Sequence, residues 1–277
     1  MDNKIWLITG ISSGLGKALA ESVIEKGYFV IGTFRNESQV AEFNKKNIKN
    51  AKAILLDITN EEIIETSIKK VISEYGKIDV LVNNAGIGFV GAVEETSMKE
   101  VRSVFEPNFF GTLKLTQSVL PFMRKEKNGH IVQISSHGGI KAFSGFGIYN
   151  ASKFALEGFS EAMAQEVAPL GIKVSIVEPG PFRTNFAGKG LGQAESVIDD
   201  YSETAGAFRT KLKGVDGKQE GDPLKASKAI IDLVNSENPT LRLPLGKVAL
   251  MTIGMKLDSV KSDLEKNRKT AEYAVYG

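Results

Sequence analysis

The sequence predicts an α/β chain, a single domain with a doubly wound parallel sheet and helices on both faces. Seven short apolar runs of strand length alternate with longer segments of helical periodicity. That alternation is the mark of βαβ units and a parallel sheet covered on both faces. Right-handed crossovers then wind the sheet outward in two directions. A glycine-rich turn directly after the first run, from Gly10 to Gly16, sits where open sheets of this kind bind ligands.

The elements follow in order. Ile5 to Ile8 reads as strand, and Gly14 to Lys26 as a helix closed by Gly27. Tyr28 to Phe34 is strand, Glu37 to Lys46 helix, and Ala51 to Leu56 strand. Asn60 caps a helix to Tyr75, with Glu61 and Glu62 in its first turn and Gly76 as its stop. Ile78 to Val82 is the fourth strand, and Ser97 to about Met123 is helical with a break or bend at Pro107. Ile131 to Ser135 is strand, Ile148 to Ala168 helix, Val174 to Val177 strand, Pro223 to Asn235 helix, and Leu241 to Leu243 a late strand.

The one domain, 1–277, divides into a half of about 1–135, a half of about 136–245 and a helical tail of about 246–277. Gly188 to Gly221 is glycine-rich and weakly periodic, and a lid is expected over about 185–221 because this stretch follows a strand end. In the tail, Val248, Met251, Met255, Val260 and Leu264 predict an amphipathic helix docked on its own core. A subunit contact is the next reading. A membrane-surface helix is disfavoured by Asp258, Asp263 and Glu265.

Composition excludes several classes. The 277 residues carry 35 basic and 33 acidic side chains, a net charge of +2 with no basic stripe for nucleic acid. There is no cysteine, so disulfides and thiol nucleophiles are absent, and no metal site is expected. The amino-terminal apolar run is too short for a signal peptide, and no stretch approaches a membrane span. A cytoplasmic protein is the expectation.

Three glycines in Thr9-Gly10-Ile11-Ser12-Ser13-Gly14-Leu15-Gly16 let backbone approach a pyrophosphate, and the following helix aims N–H groups and its positive dipole end at the phosphates. Two rival motifs overlap. Gly10 to Gly14 matches the G-x-S-x-G of hydrolases, but His130 and His137 are the only histidines and neither lies in a late loop. A P-loop fails because the glycines are one residue too far apart and Ala18 follows Lys17 where a hydroxyl is needed.

Tyr149 and Lys153 stand four apart on one predicted helix and so share a face. A free phenol, with a pKa of ~10, is a poor catalyst at neutral pH. An ammonium ~4 Å away favours the phenolate by ~4 kcal/mol at an effective dielectric of ~20, less the opposing cost of burial.

Taken together, these motifs resemble the short-chain dehydrogenase/reductase family, whose Rossmann-like fold is the doubly wound sheet inferred above. Asp57, in Leu56-Asp57-Ile58-Thr59, matches its acid near the adenine. Asn83-Asn84-Ala85-Gly86 matches its N-N-A-G. Asn108 matches its mid-helix asparagine, and Ser136 precedes Tyr149 by its usual thirteen residues. Pro179-Gly180, with Thr184 four residues beyond, matches the motif at the nicotinamide end. The likeness runs in order from Thr9 to Thr184, and nothing after Asn185 carries a signature.

The resemblance implies catalytic roles for Asn108, Ser136, Tyr149 and Lys153. It implies a cofactor bed of Gly10, Ser12, Ser13, Gly14, Leu15, Gly16, Arg35, Asp57, Ile58, Asn84, Ala85, Gly86, Tyr149, Lys153, Pro179, Gly180 and Thr184. Tyr149 exchanges a proton with the substrate oxygen, Ser136 orients it, Lys153 lowers the Tyr149 pKa and holds the ribose, and Asn108 anchors a water. Ser135 competes with Ser136, which is favoured because it tips into the crevice if Ser135 ends the strand. His137 is expected on the pocket wall or in solvent.

After the second strand stand Phe34 and Arg35 rather than an acid, which points to NADP(H) over NAD(H), with Arg35 on the 2′-phosphate. Glu37 is the competing residue. Phe89, Val90, Phe143, Phe146, Phe182, Phe186 and Leu191 predict an apolar pocket, about half of them packing the sheet instead; Lys141 and Arg183 are its only candidate cations. The expected substrate is a hydrophobic ketone, aldehyde or secondary alcohol, and the expected assembly a homo-oligomer, dimer or tetramer. The alternatives are a non-catalytic NADPH-binding sensor or scaffold, and a cofactor-retaining epimerase, dehydratase or isomerase.

Overall fold

The computed structural model describes residues 4–47, 49–188 and 190–276. The first half runs β1 (Ile5–Ile8), α1 (Gly14–Glu25), β2 (Phe29–Phe34), α2 (Glu37–Lys46), β3 (Ala51–Leu55), α3 (Glu61–Tyr75), β4 (Val80–Asn83) and β5 (Gly88–Val90). Next come α4 (Met98–Phe105), α5 (Gly111–Glu126), β6 (Gly129–Ile134), α6 (Gly147–Val167), β7 (Ile172–Pro179), β8 (Leu191–Gln193) and α7 (Ala207–Gly214). The chain closes with α8 (Pro223–Asn235), β9 (Arg242–Leu245) and α9 (Lys247–Tyr273).

Seven strands form one parallel sheet in the order β3-β2-β1-β4-β6-β7-β9. The strand order reverses between β1 and β4, and there the carboxyl ends open a crevice. Apolar side chains alternate to both faces. Leu7, Leu81 and Ile131 pack with Ile64 and Ile68 of α3 and Leu115 and Val119 of α5. Trp6, Ile8, Val82 and Val132 pack with Leu19 and Val23 of α1 and Ile230 of α8. All seven expected strands are present; β7 is longer at both ends than its apolar centre, and β9 begins one residue late.

The long helix around Pro107 is divided by a π turn, Glu106–Phe110. Pro107 has no N–H to give the preceding turn, and a one-residue bulge accommodates it. A capping box of Ser97 and Glu100 opens α4.

One expectation needs correction, and one segment carries more regular structure than its sequence suggests. The 185–221 stretch, expected as a lid, contains a strand and a helix. Its β8 pairs in parallel with β5, and α7 lies within it. The strand is too short and glycine-rich to show alternation in sequence. The tail is helical, but it does not dock along its length. Ala249 and Thr252 are its buried residues, while Leu250, Leu257 and Leu264 are about two-thirds exposed at 62%, 60% and 66%. Periodicity marks an apolar face without saying how far the body extends beneath it. Among the described residues, no helix is long and apolar enough to cross a membrane.

Candidate active site

The glycine turn is held to the end of β4 by a compact network. Thr9 Oγ1 accepts from the Asn84 and Ala85 N–H groups, both at 2.9 Å, and donates to the Val82 carbonyl. Asn84 Nδ2 donates to the carbonyls of Thr9 (2.8 Å) and Gly10 (3.1 Å), so its side chain braces the turn. Gly10 and Gly14 have φ of +68° and +61°, a region L side chains avoid. A Cβ on Gly16 would run into Asn84 Nδ2 and the Gly10 carbonyl. Ser13 stands at the N-cap of α1 without a side-chain bond to the helix, leaving the first N–H groups free for an anion. A pyrophosphate fits this cradle of backbone, open helix end and crowded glycines.

The other expected cofactor residues outside α6 lie at or just past the carboxyl ends of β2, β3, β4 and β7. Thr184 lies against Gly14, its Cβ 3.3 Å from where a Gly14 Cβ would stand, which brings the loop after β7 onto the glycine turn. Gly180 N–H donates to the Leu245 carbonyl at 2.9 Å, fixing the turn that follows Pro179. Ile58 is buried, and Asp57 accepts from the N–H and hydroxyl of Thr59. Arg35 is exposed and has no ion pair among the described residues, with Glu37 or any other acid. Gly86 approaches Asn108 Oδ1 so closely that a Cβ would stand 2.9 Å from it and 3.8 Å from Lys153 Nζ.

Asn108 sits in the π turn, 1% exposed. Its Oδ1 accepts from the Ile87 N–H at 2.8 Å, and Nδ2 donates to the Ile87 carbonyl (2.9 Å) and Ser152 Oγ (3.0 Å). These bonds tie the loop after β4 to α6. Ser135 continues β6 and turns toward α6, whereas Ser136 tips toward Tyr149 and caps the His137–Gly139 turn through Gly138 N–H at 2.9 Å. Asn150, which the motif reading passed over, donates to the Gly138 carbonyl and accepts from the Phe143 N–H.

Tyr149 is buried at 4% exposure. Lys153 Nζ lies 6.0 Å from its ring centroid and donates to the Ile134 carbonyl at 2.8 Å. The expected net lowering of the phenol is therefore not found. Burial pushes Tyr149 up to about 12, against a hydrogen bond from Ser136 that favours the phenolate. Burial also pushes Lys153 down to about 8, opposed by Glu157. At neutral pH the pair is a protonated phenol beside an ammonium. His137, pushed down to about 4 by burial, bonds Thr252 of α9 through Nδ1 at 2.9 Å.

An aromatic cap covers Tyr149. Phe146 lies 4.4 Å and Phe186 5.6 Å from its ring, centroid to centroid. Phe143, Leu191, Phe208 and Leu212 pack against Val90, Phe146 and Tyr149. Phe89 packs on Val104 and Ala194 instead, and Phe182 lies under Gly221. Phe208 and Leu212 were missed; their spacing of four in a short helix was the available signal. Glu95, 3% exposed, clamps the cap by accepting from Ala92 N–H (2.7 Å), Ile198 N–H (3.0 Å) and Arg209 Nη2 (2.8 Å). Burial raises its carboxyl, but these donors outweigh that and hold it below the ordinary range.

The short chain dehydrogenase profile matches residues 4–193, most of the chain and all of the crevice. The chain belongs to that family. It is 39% identical over 249 residues to the 3-ketodihydrosphingosine reductase of Bacteroides thetaiotaomicron, covering 89% of each chain. It is 37% identical over 250 residues to human retinol dehydrogenase 8, covering 85% of this chain and 79% of that one. A solved short-chain dehydrogenase from Streptomyces avermitilis matches with a TM-score of 0.93 and 42% identity over 100% of both chains. Solved neighbours hold NAD in one case and NADP in others. This protein is an oxidoreductase of the family, with a nicotinamide cofactor.

Proposed function

We propose that this oxidoreductase uses NADP(H) to interconvert a hydrophobic ketone or aldehyde and the corresponding alcohol, with Tyr149 as the acid or base. The observation that carries the reading is the convergence of Ser136, Tyr149 and Lys153 on the crevice beside the glycine turn, under an aromatic cap. When bound, the nicotinamide supplies or accepts the hydride. Tyr149, protonated at neutral pH, gives its proton to the substrate oxygen during reduction. Ser136 hydrogen-bonds the same oxygen and orients it. Lys153 supports the phenolate that remains, and Asn108 positions α6 through Ser152.

The cap supports an apolar substrate, as do relatives named for 3-ketodihydrosphingosine and retinol. The 185–221 segment acts as the lid, opening at the Glu95 clamp to admit substrate. Arg35, exposed and unpaired among the described residues, supports a 2′-phosphate partner. A homo-oligomer in the cytoplasm completes the reading; a light-scattering mass of 30.0 kDa, that of one chain, would refute the assembly.

Nicotinamide fluorescence titrations, followed by a carbonyl screen, test the reading. NADPH is expected to bind well and NADH weakly. Arg35→Ala should lower NADPH affinity ~10-fold or more and leave NADH unchanged. A preference for NADH would reassign the ribose site to an acid such as Glu37, and binding of neither would end the dehydrogenase reading for this chain's crevice.

A further inference from the structure

Behind Lys153 lies a polar layer that the proton transfer does not use. The sheet face under α5 and α6 is apolar at Leu81 and Ile131, then turns polar toward its carboxyl end. Gln133 on β6 and Glu178 on β7 point into it, as does Ser135 just past β6; they are 0%, 1% and 4% exposed. Glu157 reaches the same layer from α6 at 5% exposure. It stands four residues after Lys153, on the same helix face one turn further along.

Arg242 on β9 joins the acids. Its Nη2 is 3.4 Å from Glu157 and 2.8 Å from Glu161, and its Nε is 3.2 Å from Glu178. None of the four carboxylate oxygens of Glu157 and Glu178 has a well-aligned hydrogen bond. Two buried carboxylates around one arginine are a poor way to fill space, because apolar residues of similar volume are as stable or more so.

Position gives the charge a use. Lys153 Nζ has only a carbonyl oxygen as hydrogen-bond partner among the described residues, and a buried ammonium needs an anion. The groups facing Glu157 are Lys153 and Glu161 on its own helix, Glu178 on β7 and Arg242 on β9; β6 and the turn after it present Ser135 and Gly139. Glu178 is pushed up to about 7 by burial and by Glu157, against Arg242. Burial raises the Glu157 carboxyl as well, but Ser135, Arg242 and Lys153 favour its charged form, and it stands between the two cations.

We infer that Glu157 is a positioning residue: its carboxylate, held by Arg242 one helical turn behind Lys153, keeps that lysine in its ammonium form. The inference rests on the proposed function, in which Lys153 must be charged to support Tyr149.

Removing the Glu157 charge makes the first proton easier to lose from the Tyr149–Lys153 pair, whichever group gives it up. The alkaline limb of carbonyl reduction should therefore move to lower pH. For Glu157→Gln, turnover is expected within about twofold of wild type near pH 6 and down about fivefold or more near pH 8. Glu157→Asp, which keeps the charge but withdraws it, should fall between the two and serves if Glu157→Gln does not fold. In cofactor-free protein, an NMR titration of the Lys153 side chain, assigned by its loss in Lys153→Met, should show the same ordering. A purely structural role predicts loss at every pH with no displaced limb. That result, or an unmoved Lys153 titration in either folded variant, overturns the inference. Lack of carbonyl reduction in wild type would instead overturn the proposed function, and the cofactor-free titration would still decide the role of Glu157.

Discussion

The glycine turn on one side of Tyr149 and the aromatic cap on the other are built by different means. The turn from Thr9 to Gly16 is mostly backbone, and its brace comes from two neighbouring strand ends, Thr33 on β2 and Asn84 and Ala85 after β4. Its conformation depends on missing side chains, at Gly10, Gly14 and Gly16. The cap is made of side chains drawn from Val90, Phe146, Leu191 and Phe208, four separate segments of the chain, and one buried carboxylate fastens it. The difference teaches that a surface for a shared cofactor can be written in local backbone rules, whereas a surface for a particular substrate is assembled from contacts between distant segments.

Tyr149 belongs to both regions, and its loss should have the largest effect. Tyr149→Phe is expected to lower turnover ~1000-fold while leaving nicotinamide binding within ~2-fold. Wild-type turnover in that variant would break the comparison at its centre. Gly16→Ala comes next. The added methyl meets Asn84 and the Gly10 carbonyl, so stability should fall by ~2 kcal/mol and nicotinamide affinity by ~10-fold or more. Thermal melts and fluorescence titration read the two effects, and unchanged affinity would show that the turn tolerates a side chain.

Arg209→Ala should act on the cap alone. It leaves Glu95 buried without its cation, so the melting temperature falls and KM rises ~10-fold, with kcat changed little. An equal fall in kcat would mean that the cap also shapes the reacting geometry. The clamp has a defined pH window. Because the Glu95 carboxyl is held below its ordinary range, its contribution is present at neutral pH and is lost as the pH falls through and below that range. A cap that loosens first near neutral pH would contradict the sign.

The two regions also differ in how far sequence alone reveals them. Every strand of the main sheet was legible, because buried parallel strands are nearly continuous apolar runs. The glycine turn and the residues after β4, β6 and β7 were legible because ligands in such sheets gather at strand ends. The cap was half legible: Phe143, Phe146 and Phe186 stood out as aromatics near strand ends, but Phe89 and Phe182 turned elsewhere, and Phe208 and Leu212 had only a spacing of four in a short helix to mark them. Which way an aromatic ring points depends on what packs behind it, and no local rule supplies that.

The charge state of the site shows the same limit. Spacing placed Tyr149 and Lys153 on one helix face, and the structure has them there. Spacing also predicted a lowered phenol, and burial reversed the sign. Desolvation is set by everything around a group, so a four-residue interval says nothing of it. Glu157 was readable as the next residue on that face, but its importance appears only once Glu178 and Arg242 arrive from two later strands.

The sequence by itself determined the sheet, its parallel winding and the glycine turn after β1, because apolar periodicity, glycine spacing and strand ends are local and repeat. Only the tertiary structure decided three things. Phe186, Leu191 and Phe208 pack around Tyr149, α9 runs mostly bare past the body, and burial shifts both Tyr149 and Lys153, opposed at the lysine by Glu157. Each of these depends on the free energy of removing groups from water, and the fold as a whole sets which groups are removed.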